Sequence, residues 1–432
     1  MRHWFYQGFI MKSVVLIFVL TCFRLLAFTQ AACYSSDYKQ ELIRKTPELA
    51  LKIAAIESST KQFIVNRKAS NGDSKTPSND FPLITIPVVV HILYQSSGQN
   101  ISDAQVISQI DVLNKDYQRL NGDSINTPEI FRPFAASCGF RFVLATTDPQ
   151  GSPTNGIIRK HTDILAFSID DRIKSSALGG DDPWNCDNYL NIWVGNLTSG
   201  ILGYSSVVGG PKDKDGVAIQ FTAFGTMGSV LAPFNKGRTA THEIGHWLNL
   251  IHTWGDADCG DDQVADTPPQ KGPNRGCPSA VRITCGSGPY GDMYMNYMDF
   301  TDDACLNIFT ADQRDRMRAL FAAGGVRSKI LSSTAADGVS SSQPIDATIS
   351  EADGAGLRIY PNPASDRVMI HMSDSASVPL TLGIYNTMGQ RLSTIQIYQS
   401  HQEINVGSFP RGIYYLHVEG GNKHVVLKLV KM

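Results

Sequence analysis

Charge is scarce in this sequence. Asp, Glu, Lys and Arg make up 18% of its 432 residues, and 38 basic side chains against 40 acidic ones leave a formal charge of −2. No basic field exists to hold nucleic acid or an anionic membrane, so both partners are set aside. Internal repeats are lacking, which excludes solenoids and propellers. Only one long apolar run occurs, MKSVVLIFVLTCFRLLAFTQAA from Met11. Arg24 interrupts it short of the ~20 apolar residues a membrane span needs. A lysine, a short apolar core and then small residues are the layout of a secretory signal peptide, placed at 1–31 with the true start at Met11. The 42% hydrophobic content excludes global disorder, and at ~150 residues per domain the length fits roughly three folding units.

Export changes what the cysteines mean. Without Cys22, seven remain: Cys33, Cys138, Cys186, Cys259, Cys277, Cys285 and Cys305. Six can pair in an oxidising compartment and one is left over. Arithmetic alone does not choose the pairing.

Residues 34–64 repeat Leu42, Leu49, Leu51, Ile53, Ile56 and Phe63 at spacings near three and four, which predicts helix. The breakers of 69–80 then predict a loop. Strands are expected at 83–94, 140–146, 189–194 and 216–221, and a helix at 101–120, opened by Ser102 and Gln105. This mixture suggests a twisted sheet backed by helices. Residues 332–355 are small and polar with no apolar period, the texture of a linker. Beyond them the alternation in LRIYPNPASDRVMIHM, LTLGIYNTMGQRL and RGIYYLHVEGGNKHVVLKLVK predicts a small all-β sandwich.

The chemistry sits in THEIGHWLNLIH (241–252). His242 and His246 are ~40° apart on a helix and one turn apart, so both imidazoles reach one metal. Glu243 beside them suits a general base acting on water. His252 lies ~240° further round than His246, so it joins them only if the helix breaks between them. Asn249 stands at the needed break, and Asn tolerates the left-handed conformation that ends helices. Three histidines with one open position describe a catalytic zinc site, because structural zinc closes all four.

The segment resembles the metzincin motif HExxHxxGxxH, with Asn249 in place of the glycine. MNYMDF (295–300) resembles the Met-turn, with Met298 as its methionine. HEIGHWLNLIHTWGD, DDQVADTPPQ, GCPS and MNYMDFTDDAC are similar to the pappalysin family of metalloproteases over roughly 83–325. The resemblance implies a fold of the α+β class: a metzincin-like catalytic domain with a twisted mixed sheet, an active-site helix and an irregular, disulfide-held lower subdomain. It also implies zinc on His242, His246 and His252, Glu243 as base and Met298 as an apolar floor. The edge strand near 216–221 would pair with extended substrate. One departure stands out. The family usually carries a tyrosine two residues after the methionine, where this chain has Phe300. Either the hydroxyl of Tyr297 takes over stabilising the oxyanion, or zinc does so alone.

By the same resemblance Cys259 pairs with Cys285 and Cys277 with Cys305, which leaves Cys138–Cys186 by elimination. Asp256, Asp258, Asp261, Asp262 and Asp266 crowd one loop, which reads either as a solvated acidic loop or as a calcium site. The family likeness favours structural calcium, with Asp266 and Thr267 as ligands. The spare Cys33 has three readings. It could be a latency switch on the zinc's open position, as in related latent enzymes, a lipidation site or an inert thiol. Asp302 and Asp303 follow the Met-turn as walls of a pocket for Arg or Lys after the scissile bond, or as a capping pair. Arg67 and Lys68 would then be natural self-cleavage points in an exposed loop.

YPNPA (360–364), YNTMGQR (385–391), GIYYLHV (412–418) and the closing KLVK (428–431) resemble the type A C-terminal sorting domain of the type IX secretion system. The competing reading is an accessory binding sandwich. The expected organisation is a signal peptide at 1–31, prosegment at 32–80, catalytic domain at 81–331, linker at 332–355 and sorting domain at 356–432. The expected function is a secreted zinc endopeptidase, made as a monomeric zymogen that acts on proteins or peptides and is exported by type IX machinery. The alternative is a surface adhesin with a structural or inactive zinc site.

Overall fold

The computed structural model describes residues 32–70 and 81–336, then 350–351, 357–360, 362–364, 366–372, 380–386, 390–397, 401–420 and 423–431. The expected signal peptide lies outside the described residues, as does most of the expected linker. The chain divides into two compact units, 1–338 and 339–432.

The first unit is organised by β2 (Ile84–Tyr94). Its sequence ITIPVVVHILY is apolar along nearly its whole length because the strand is covered on both faces, as buried parallel strands are. Along one edge it pairs in parallel with β3 (Phe140–Leu144) and, further on, with β4 (Ile157–His161). Along the other it pairs in parallel with β5 (Leu190–Gly195). The sheet continues through β7 (Val217–Gln220), antiparallel β6 (Ile201–Ser205) and finally β1 (Ala32–Cys33), which lies parallel to β6. The expected strand at 216–221 is therefore interior. Within the expected catalytic domain the sheet instead has its edge at β6, and β1, in the expected prosegment, covers it.

On the inner face, Val88, Val90, Ile192, Val194 and Ile219 pack against Ile244, Trp247 and Leu248 of the helix that carries the histidines. Each large side chain fully buried there stabilises the fold by roughly 1.5–3 kcal/mol. Helix α3 (Asp103–Tyr117) starts as expected, its Ser102 hydroxyl accepting the Gln105 N–H at 3.2 Å. The outer face is covered by α1 (Ser35–Lys45) and α2 (Glu48–Ser70), helices of the expected prosegment. Their Tyr38 and Leu49 join Leu93, Trp193, Tyr204 and Ala218 in one apolar cluster.

Helix α2 is also tied to α5 (Ala311–Ala319). Arg316 forms two bonds to Glu57 at 2.6 and 2.7 Å, Arg67 pairs with Asp315 at 3.1 Å and Lys68 with Asp312 at 2.8 Å. This corrects the placing of Arg67 and Lys68 in an exposed loop. They end a helix, and Arg67 is largely buried by its partners.

No helix or strand forms between Trp247 and Ala311. This region is held by the interleaved bridges Cys259–Cys285 and Cys277–Cys305, with Cα–Cα distances of 5.6 and 5.7 Å. Elimination fails for the remaining pair, since Cys138 and Cys186 are both free thiols. Cys138 is buried in the main core, its N–H bonded to Tyr117 O, while Cys186 sits half-buried in the turn before β5. The unit holds the chain beyond the expected boundary at 331. Ala335 is buried against Val89, Ala145 and Tyr189, and its carbonyl accepts the Thr146 N–H.

The second unit contains two four-stranded sheets. One runs β13 (His401–Asn405), β10 (Arg367–Met372), β9 (Leu357–Tyr360), β8 (Ser350–Glu351), and the other β12 (Arg391–Ile397), β11 (Leu380–Asn386), β14 (Gly412–Gly420), β15 (Lys423–Lys431). Alternate residues of both, among them Val368, Ile370, Leu382, Ile384, Leu416 and Val418, share one core. That is a sandwich.

Candidate metal centre

Helix α4 (Arg238–Trp247) carries the first two histidines and is buried along nearly its whole length. It stops where the sequence placed the break. Asn249 adopts φ of 74°, the Leu250 N–H bonds Gly245 O at 2.9 Å, and the Asn249 N–H bonds His246 O at 2.9 Å. This pair of bonds is the Schellman motif, which ends a helix on a left-handed residue. The chain then turns back and delivers His252 beside His242 and His246.

The three imidazoles converge by Nε2, with His246 3.1 Å from both His242 and His252. Each Nδ1 faces an oxygen: Tyr297 O at 2.7 Å for His242, Leu250 O at 2.9 Å for His246 and the Asp256 carboxylate for His252. An Nδ1–H that donates to oxygen leaves Nε2 as a bare lone pair. Three lone pairs meeting at that distance repel unless a cation stands among them. Tetrahedral zinc, with nitrogens at about 2.05 Å, spaces its ligands roughly 3.3 Å apart, so the donor set fits. Burial keeps the rings of His242 and His246 neutral. It holds His242 down to about 3, and burial together with the neighbouring His252 and His242 rings holds His246 well below its ordinary value.

Glu243 is fully buried against β6, and a Cβ on Gly203 would come within 2.8 Å of its Cγ. Burial raises its carboxyl to about 7, against hydrogen bonds from Ser35 and Cys33 that lower it. Both partners lie in the expected prosegment, at the start of α1 and just before it. The Ser35 hydroxyl donates to Glu243 Oε2 at 2.7 Å, and Cys33 Sγ lies 3.5 Å from the same oxygen. Cys33 Sγ and one ring nitrogen of each histidine all lie within 4.8 Å of one another. Burial, then the Glu243 charge, pushes this thiol far above its usual range. The Ser35 N–H also donates to Cys33 Sγ at 3.3 Å. A cavity of about 40 Å³ beside Glu243 is lined by Leu202, Phe234, Phe300, Thr301 and Asp303.

Met298 lies directly under α4. A Cβ on Gly245 would come within 2.5 Å of its sulfur, so only glycine fits there. Tyr297 does not reach the cavity, which corrects its expected role. Its ring is fully buried against Phe309, and its hydroxyl accepts from Arg238 Nη1 at 2.9 Å. Phe300 is at the centre, packed against the rings of His242, His252 and Trp254. Asp303 lines the cavity but is buried, with one oxygen accepting the backbone N–H groups of Lys236 and Arg238. Asp302 is half-buried and does not line it.

The acidic loop splits. Asp266 turns to the start of α5 and accepts the Asp312 N–H at 2.9 Å, away from Thr267. Thr267 instead bonds the buried Asp262 carboxylate at 2.7 Å and Val264 O at 3.0 Å. Burial raises Asp262 to about 7. Asp262 thus replaces Asp266 beside Thr267.

Sequence reasoning missed Ser35, and it named Asp256 and Asp262 only as members of the acidic loop, without the contacts each makes to His252 and Thr267. A serine two positions after a spare thiol and an aspartate four after a histidine carry little signal until the fold brings them together.

A family described as pregnancy-associated plasma protein-A, a peptidase family, matches residues 174–322, and a secretion-system C-terminal sorting domain matches 358–432. An extracellular metalloprotease of Arthroderma otae is 32% identical over 240 residues, covering 54% of this chain and 76% of that protein. One of Pyricularia oryzae is 29% identical, covering 68% and 89%. A promirolysin mutant of Tannerella forsythia is 44% identical with a TM-score of 0.62, covering 69% of this chain and 97% of that one. Mature mirolysin in complex with a cleaved peptide is 48% identical with a TM-score of 0.57, covering 58% and 96%.

Proposed function

Since the chain belongs to the pregnancy-associated plasma protein-A family of peptidases, we propose that it holds one catalytic zinc on His242, His246 and His252 and uses Glu243 as general base. It is a secreted or surface-located, zymogen-type metalloendopeptidase with a type IX sorting domain at its carboxyl terminus. The adhesin alternative is set aside with that result. The observation that carries the zinc reading is the convergence of three Nε2 atoms whose Nδ1 partners are all oxygens.

When bound, zinc supplies Lewis acidity to the attacking water and the scissile carbonyl. Glu243 Oε2 takes the water's proton and returns it to the departing amine. Substrate main chain would take the β6 edge in place of β1. There Gly203 O, which now accepts the Tyr34 N–H, and the Ser205 N–H, now on Ser35, become free. Phe300 adds no hydroxyl and the Tyr297 hydroxyl is engaged by Arg238, so neither position offers the oxyanion a donor.

Latency follows from the same geometry. Cys33 Sγ lies within 4.8 Å of the three histidine nitrogens, where it would hold zinc's open position, and Ser35 covers the base, which favours the switch among the three readings of the thiol. A basic residue after the scissile bond would face Asp303 rather than Asp302. Structural calcium would sit on Asp262, Val264 O and Thr267, an all-oxygen set that suits it. We take the working enzyme to be a monomer acting on proteins or peptides.

Elemental analysis of the purified full-length chain tests the metal site. One zinc per chain, lost in His252→Ala, is expected. Zinc-free parent protein, or zinc retained without His252, would overturn the assignment.

A further inference from the structure

His252 is the one ligand outside the helix, so the backbone that fixes His242 and His246 does not fix it. The other two turn Nδ1 to main-chain carbonyls, whereas His252 turns Nδ1 to the carboxylate of Asp256. The intervening residues build this contact. The Gly255 N–H closes onto His252 O at 2.8 Å, and Gly255 and Asp256 both take left-handed φ, 63° and 56°. A Cβ on Gly255 would come within 2.3 Å of Asp261 N, so the turn is also sterically specified. Trp254 lies flat on the imidazole, with centroids 4.3 Å apart and planes 5° apart, while Phe300 meets its edge at 4.9 Å. The ring is thus held on one face by an indole and at its rear nitrogen by a full negative charge.

We propose that Asp256 is the positioning residue for the third metal ligand, fixing the His252 tautomer and strengthening its Nε2 as a donor. A carboxylate behind a ligating imidazole does both, and does the second better than a carbonyl. The inference rests on the zinc reading above and deepens it. It also separates Asp256 from the acidic loop: among that loop's aspartates it serves the histidines, and Asp262 serves Thr267.

The test uses zinc-loaded full-length protein in a Cys33→Ser background, so that the thiol does not hold the metal. Transfer of zinc to a coloured chelator is timed, and the visible spectrum of the cobalt(II)-substituted protein is recorded. Asp256→Asn and Asp256→Ala are expected to weaken zinc binding by about 10–100-fold, seen as faster release, and to shift the cobalt spectrum, while their metal-free melting matches the parent. Release within about two-fold of the parent from both variants, with an unchanged spectrum, would overturn the proposal. Fast release from the alanine variant alone would keep the positioning role and overturn the need for charge. If the alanine variant does not fold, the asparagine variant decides. A Cys33→Ser parent that takes up no zinc would overturn the zinc reading itself, and this proposal with it.

Discussion

The Ser35 hydroxyl bridges two catalytic-unit groups, donating to Glu243 Oε2 at 2.7 Å and accepting the Ser205 N–H at 2.8 Å. On the proposed reading the prosegment therefore covers the base as well as the metal position, with two side chains two positions apart. Hydrogen bonds to charged groups contribute about 1.5–3 kcal/mol. Ser35→Ala should therefore raise proenzyme leakage about ten- to one-hundred-fold while Cys33 remains in place. The check is residual peptidase activity of uncleaved protein. Leakage equal to wild type would leave latency to Cys33 alone.

Acid should loosen the prosegment. Burial would raise the Glu57 carboxyl, but the double bond from Arg316 outweighs it and holds the group below its usual value. A depressed acid stabilises docking fully above its ordinary value of about 4.3, and the contribution fades as pH falls through the lowered one. Limited proteolysis of helix α2 should therefore show protection at neutral pH that weakens below about pH 4. Glu57→Gln should be less protected already at neutral pH and show a flatter profile. A profile identical to wild type would contradict this.

Tyr297 and Phe300 should separate stability from turnover. Tyr297→Phe removes the bond to the charged Arg238 and should cost about 1.5–3 kcal/mol in denaturant unfolding, with kcat nearly unchanged. A fall in kcat of about a hundred-fold or more, the scale of a lost oxyanion donor, would restore Tyr297 to the chemistry.

How much of this was legible is clearest in α4. The spacing of His242 and His246, and Asn249 as the point of reversal, follow from helix periodicity and one residue's tolerance of positive φ. The β2 core strand and the Ser102 cap are equally local. What escaped depended on contacts between distant segments. The sequence puts the sheet edge near 216–221 because nothing in ILGYS announces an antiparallel strand outside it. Asp266 was chosen over Asp262 because a row of aspartates does not say which one folds inward. Cys138 and Cys186 were joined by counting, which is blind to the core around Cys138.

Calcium should act through Asp262. Wild-type protein is expected to melt at a higher temperature with calcium than with a calcium-selective chelator, and Asp262→Asn should lose most of that difference. An undiminished difference in the variant would move the ion elsewhere.

The most direct measurement compares zinc-loaded, prosegment-free protein with Glu243→Ala of equal zinc content on a denatured protein mixture, reading new amino termini by mass spectrometry. Abundant new termini from wild type, reduced at least about a hundred-fold in the variant, are the predicted result, with Arg or Lys at their start if Asp303 governs the pocket. Equal cleavage by both proteins, or none by either with zinc present, would contradict the account.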